Sequence, residues 1–183
     1  MDRAQIAALV LAAVIVFWML GAYNRLIGLR NGINAAFVQL DEAMAQHSQA
    51  ALALAAALRA NSPNEEVALD ALLSAATLLQ QAVGAMKLRP ASAANAQALS
   101  NATTDFNAAA SRVRVLAELP SAWRPDVAVP VAQLLAAWHD AEARIAFTRQ
   151  HFNQTVVGYN EAADQFPTRL VARACGLPPA GLI

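Results

Sequence analysis

The first proline of the chain is Pro63, and the 62 residues before it carry two apolar patterns in succession. Ile6 to Ala22 is an unbroken run of 17 residues without a charged or strongly polar side chain. As a helix rising about 1.5 Å per residue, it reaches about 26 Å, the short end of a membrane span. Trp18 and Tyr23 stand toward its C-terminal end, where amphipathic rings favour the headgroup layer. A buried core helix would carry a polar face, and this run has none. A cleaved signal peptide would end in a small-x-small site, whereas the chain offers Leu20-Gly21-Ala22. An uncleaved span is therefore expected, with no second span in the rest of the chain.

From Leu26 the period becomes seven. Leu26, Ile33, Leu40, His47 and Leu54 form one row. Leu29, Ala36, Ala43, Ala50 and Ala57 form the next, and Arg30, Phe37, Met44, Ala51 and Leu58 a third. Together they make an apolar stripe of the coiled-coil kind. With no proline to break it, the span is expected to run straight into a first bundle helix ending near Ala60.

Ser62-Pro63-Asn64-Glu65 reads as the start of a second helix, to about Leu88, stopped by Arg89-Pro90. A third begins near Ser92 and carries Leu99, Phe106, Val113 and Leu116 inward. Pro120, Pro125 and Pro130 enclose an irregular connection. The fourth places Val131, Trp138, Ile145, Phe152, Tyr159 and Phe166 at steps of seven, and Pro167 ends it. Thr168 reads as the cap of a short last helix through Ala174. The composition agrees: 46 Ala and 23 Leu against 7 Gly favour helix. The expected fold is all-α: an N-terminal transmembrane helix continuing into an antiparallel up-down four-helix bundle with long helices. The expected units are the anchor at 1–22, the bundle at 23–175 and a loose tail at 176–183.

Several blocks resemble the LemA family of bacterial membrane-anchored helical proteins. At the front these are Tyr23-Asn24-x-Leu26-x-x-Leu29-Arg30-Asn31 and Ala36-Phe37-x-Gln39-Leu40-Asp41. At the back they are Glu142-x-Arg144-Ile145-Ala146-Phe147-x-Arg149-Gln150-x-Phe152-Asn153, Tyr159-Asn160 and Phe166-Pro167-x-x-Leu170-Val171-Ala172-Arg173. Relatives follow the first block with a basic run and a Leu-Ile-Pro-Asn-Leu stretch. Here those positions read Ala45-Gln46-His47 and Ala50-Ala51-Leu52-Ala53-Leu54, so this chain resembles a divergent member. The resemblance implies a single-pass anchor and a cytoplasmic bundle; it implies no reaction.

Polar residues inside the stripe mark the candidate site. Pairing the first and fourth helices antiparallel from the membrane end makes facing residue numbers total about 190. Asp41 is then expected to contact Arg149. Arg30 falls near Asn160 and Glu161, and His47 near Glu142. Such contacts fix register. The same Arg30, Asp41, His47, Glu142 and Arg149 would line a ligand site if the bundle holds one.

Charge and motifs exclude several classes. With 13 basic and 13 acidic residues, nothing marks a nucleic-acid partner held by bulk electrostatics. A single cysteine, Cys175, rules out an internal disulfide and a cysteine zinc site. No Glu-x-x-His is present for a bundle metal centre. His139 and His151 point about 120° apart on their helix. No phosphate loop or nucleophile elbow occurs. No catalytic residue, metal, cofactor or small-molecule substrate is therefore expected. The leading expectation is a non-enzymatic scaffold or adaptor with the bilayer and a protein partner or a second copy. The alternatives are a sensor or enzyme with a site inside the bundle, and an accessory subunit of a membrane complex. Arg25, Arg30, Arg169 and Arg173 on one flank of the span, against Arg3 on the other, favour a short outside N-terminus and a cytoplasmic bundle at the bacterial inner membrane.

Overall fold

The computed structural model describes residues 2–61, 65–119 and 128–183. It is all-α: α1 (Arg3–Asn61), α2 (Glu66–Leu88), α3 (Ala93–Ala117), α4 (Ala128–Asp164) and α5 (Thr168–Ala174), with no strand among the described residues.

α1 is one helix of 59 residues, and the join between apolar run and heptad stripe falls inside it. Every described side chain from Asp2 to Gly21 is exposed, Phe17 to 74 %, and the first buried residue is Ala22. From there the stripe does what its period demands. Leu26, Ile33, Phe37, Leu40, Leu54 and Leu58 are sealed in the core. Each such side chain contributes about 1.5–3 kcal/mol relative to an exposed one.

α4 lies antiparallel along α1, and the α2–α3 hairpin packs on another side of it. Leu69, Leu72, Leu79 and Met86 come from α2, Leu99, Phe106 and Val113 from α3, and Trp138, Phe152, Val156 and Tyr159 from α4. Phe37 meets Phe152 edge-on at 6.1 Å between ring centres. Arg144 donates to Gln46 Oε1 at 2.7 Å. The numbers in these two pairs total 189 and 190, the height expected for the α1–α4 pairing.

Local chemistry departs from expectation in three places, at Pro130, Thr168 and Phe166. Ser62, Pro63, Asn64, Pro120 and Pro125 lie outside the described residues, so the expected Ser62 cap and much of the proline-rich connection do too. The third helix begins near Ser92 as expected, and Ser92 caps it, accepting from Asn95 N–H at 3.3 Å. Pro130 belongs to the first turn of α4 and not to the connection, since the first turn needs no amide hydrogen from it. Thr168 is the first residue of α5 and its neighbour Pro167 holds the cap position, without a side-chain bond. Phe166, expected inward, is 75 % exposed because α4 has already ended at Asp164.

Against the expectation of no second span, α2 also has the length and apolar composition of one. Its inward leucines are spent in the bundle core, and it pairs with α3.

Candidate functional site

α3 and α4 stand apart over most of their length, each held to α1 more than to the other. Arg114 on α3 and Glu142 on α4 approach to 3.5 Å at the far end of the gap. The opening between them is a cleft of about 930 Å³. That is the upper part of the size range in which small ligands and peptide side chains bind, roughly 300–1,000 Å³.

His47 lies at the floor of this cleft. The heptad puts it on the buried side of α1, where it is only 4 % exposed. Its ring packs edge-on against Trp138 at 5.0 Å and Phe106 at 5.6 Å. Its Nε2 is buried and has no hydrogen-bond partner among the described residues. Burial pushes the imidazole pKa down from the ordinary value, and the Glu142 carboxylate pulls it partly back. The ring is therefore neutral near pH 7. The rest of the lining is mixed: Glu142, Arg149 and Gln150 beside Ile145 and Val157 on α4, with Asn107 on α3.

The lower part of the gap is filled by the chain itself. Gly176 sits in the left-handed region at φ 62. Its N–H reaches Arg173 O at 3.3 Å, and Leu177 N–H reaches Ala172 O at 2.9 Å. This is the pattern by which a glycine ends a helix and redirects the chain. Residues 177–183 then run back along α4, antiparallel to it.

Four side chains of α4 bond to the main chain of that segment. Asn160 accepts from Ala180 N–H at 2.8 Å and donates to Ala180 O at 2.9 Å. Asn153 accepts from Ile183 N–H at 3.0 Å and donates to Ile183 O at 2.8 Å. Arg149 Nε donates to Ile183 O at 3.0 Å. Tyr159, inside the core, donates its hydroxyl to Pro178 O at 3.0 Å. Burial raises the Tyr159 pKa, with the Arg30 charge opposing, so the hydroxyl stays a donor. Ala180 and Ile183 are buried, and Gly181 passes so close to α3 that a Cβ there would sit 2.6 Å from Ala93 Cα. The expectation of a loose tail at 176–183 is thus corrected. Amide side chains on α4 and the close approach at Gly181 hold it in place, and neither shows in a count of prolines and glycines.

The expected polar contacts separate in the same way. Asp41 pairs with Lys87 of α2 at 2.9 Å, while Arg149 holds the tail, so the expected Asp41–Arg149 contact does not form. Helical rise puts the two residues at one height, but height does not fix the face. Arg30 comes near Tyr159 and the Pro178–Pro179 stretch, and its expected neighbour Asn160 is engaged by the tail. His47 and Glu142 line one cleft, as their register implied. Asn153 was missed as a site residue. The signal was present: Asn153 and Asn160 repeat at seven on α4, beside the core row Phe152 and Tyr159.

An asparagine side chain carries a donor and an acceptor, and here each of the two is bonded to the N–H and the O of a single tail residue. Among the described residues no three His, Cys, Asp or Glu side chains gather to hold a metal ion. The sequence model of the LemA family matches residues 29–182, which takes in α1 from Leu29, all the cleft-lining residues and the tail to Leu182. The chain belongs to the LemA family. In this LemA chain, both the front block around Asp41 and the back block around Arg149 fall inside the match. No curated protein and no solved structure matches the chain.

Proposed function

We propose that this LemA chain is a membrane-anchored, non-enzymatic adaptor whose bundle holds a protein partner at the cytoplasmic face of the bacterial inner membrane. One observation carries the reading: about four turns of wholly exposed apolar helix continue, without a break, into the central helix of the bundle. Exposed Leu9, Leu11, Val14, Phe17 and Leu20 have no protein surface against them, and lipid is the solvent that such a helix fits. Arg25 and Arg30 just beyond the span, with Arg169 and Arg173 on α5, favour the cytoplasm for the bundle.

Cys175 is exposed and is the only thiol. A membrane-impermeant maleimide applied to intact cells, with the outer membrane opened where there is one, tests the topology. The expected result is protection in cells and labelling in a denatured lysate. Labelling in intact cells reverses the orientation and moves the partner search to the outside.

A second reading has one observation in its favour. The cleft above Ile183 is large enough for a small ligand and places a neutral imidazole, a carboxylate and a guanidinium on its walls. A thermal-shift screen of small metabolites against the full chain in detergent separates the two readings. A sensor is stabilised by one compound class, and an adaptor by none.

A further inference from the structure

We infer that the gap between α3 and α4 is a peptide-binding groove, that residues 177–183 occupy it as a built-in stand-in, and that an extended, uncharged segment of a partner protein displaces them. The inference rests on the adaptor reading and gives that adaptor its docking site.

The tail shows what the groove recognises. Each polar contact made to it from α4 ends on a main-chain atom: Pro178 O, Ala180 N and O, Ile183 N and O. Seven residues of helix between Asn153 and Asn160 rise about 10.5 Å, and three residues of extended chain between Ala180 and Ile183 cover about 10 Å. The two repeats are commensurate, so one helix face reads every third residue of a chain with a threefold, polyproline-II-like repeat laid antiparallel to it. Side-chain selection enters where the tail touches the walls. Gly181 tolerates no Cβ, while Ala180 and Ile183 fill apolar positions. The matching partner carries glycine there, with a small residue before it and an aliphatic residue two after it.

Residues 177–183 cover only part of what the groove offers. Beyond Ile183 the cleft continues along α4 from Asn153 to Glu142, about 16 Å, or some five extended residues. Arg149, Gln150 and Gln154 line that stretch, and His47 with its unpartnered Nε2 lies at its floor. A partner segment of roughly ten to twelve residues therefore fills both parts, where residues 177–183 fill one. That extra contact is what lets it displace an occupant tethered to the same chain, which starts with the advantage of high effective concentration.

The test uses the full chain in lipid nanodiscs. Gly181→Val expels the chain's own tail and leaves the α4 seat intact. The probe is the free peptide Leu-Pro-Pro-Ala-Gly-Leu-Ile, titrated by ligand-observed NMR. It is expected to bind the Gly181→Val chain at least tenfold more tightly than the wild type, whose tail competes. The same peptide with valine for glycine is expected not to bind. Adding Asn153→Ala and Asn160→Ala to the Gly181→Val chain is expected to weaken binding at least tenfold. Lengthening the peptide by Ser-Ala-Ser-Ala at its C-terminal end is expected to tighten it at least threefold.

Circular dichroism first checks that the variant keeps its helix content. If valine lowers it, Gly181→Ala repeats the experiment with a smaller intrusion. Equal binding of the glycine and valine peptides to a folded chain overturns the groove. No gain from lengthening overturns the displacing partner and leaves the tail a strap of the fold. A wild-type chain that runs as a dimer and is split by the peptide assigns the groove to the tail of a second copy, against a separate partner. None of these outcomes touches the anchor, which Cys175 labelling reads on its own.

Discussion

His47 occupies a core position that its neighbours in the heptad row, Leu40 and Leu54, fill with aliphatic side chains. Burial holds its folded pKa below the ordinary 6.5. The unfolded chain therefore binds a proton at higher pH than the folded one. The stability that goes with a neutral ring is complete above about pH 6.5 and is lost as pH falls through the window below it. We expect the Tm of the wild type to fall on acidification from pH 7.5 to pH 5, and to fall less in His47→Phe. At pH 7.5 the same substitution is expected to change stability by no more than about 1 kcal/mol, because an unpartnered ring nitrogen is replaced by apolar carbon of similar shape. Equal pH slopes in the two proteins would refute the burial argument. Asp41 supports a second expectation. A double-mutant cycle with Lys87 should show a coupling of about 0.2–1 kcal/mol, typical of an exposed pair. The cycle of Asp41 with Arg149 should be additive within about 0.5 kcal/mol, since the two stand on different faces. A residue's height along α1 was legible in the sequence, because helical rise is fixed. Its azimuth toward α2 or α4 was not, because three helices compete for the sides of α1 and nothing local decides among them.

Elements that repeat at seven announced themselves. α1 and α4 follow from Leu26 to Leu58 and from Val131 to Tyr159 with few exceptions, as the period matches a face and the face matches a partner. The tail did not, because an extended segment has no period to read. What stabilises residues 177–183 is written on α4, in two asparagines that by themselves resemble ordinary polar surface. Each of the two makes a pair of hydrogen bonds to it, and each bond contributes about 0.5–1.5 kcal/mol. Hydrogen exchange should therefore find the amides of Ala180 and Ile183 protected in the wild type. In Asn153→Ala/Asn160→Ala they should exchange freely, while the amides of the α1 core around Phe37 and Leu40 stay slow. Protection that survives the double substitution would mean that apolar burial alone holds the tail. Trp138→Ala belongs to the same scale through α4. Loss of a fully buried indole costs about 3–5 kcal/mol, a large part of the 5–15 kcal/mol typical of a domain.

The molecule as a whole is organised about α1, which carries the exposed apolar run and, further along, the surfaces that gather α2, α3, α4 and α5. An adaptor of this build should resist alkaline carbonate extraction from membranes. Leu11→Arg with Val14→Arg, two charges at the middle of the run, should release it, at about 2.5–3.5 kcal/mol per arginine. Because the bundle core starts at Ala22, the released protein should keep its far-ultraviolet helix signal from the bundle. Release together with loss of that signal would show that the bundle depends on the bilayer for more than address. Since α1 has no joint between span and bundle, it is a lever. Some 38 residues separate Tyr23 from Asn61, about 57 Å of rigid arm. A change of 10° in the angle at which the span sits in the bilayer swings the far end by about 10 Å. Spans tilt to match the thickness of the lipid around them, so if the chain is anchored as proposed, the sideways reach of the bundle's far end changes with local membrane thickness while its height barely moves.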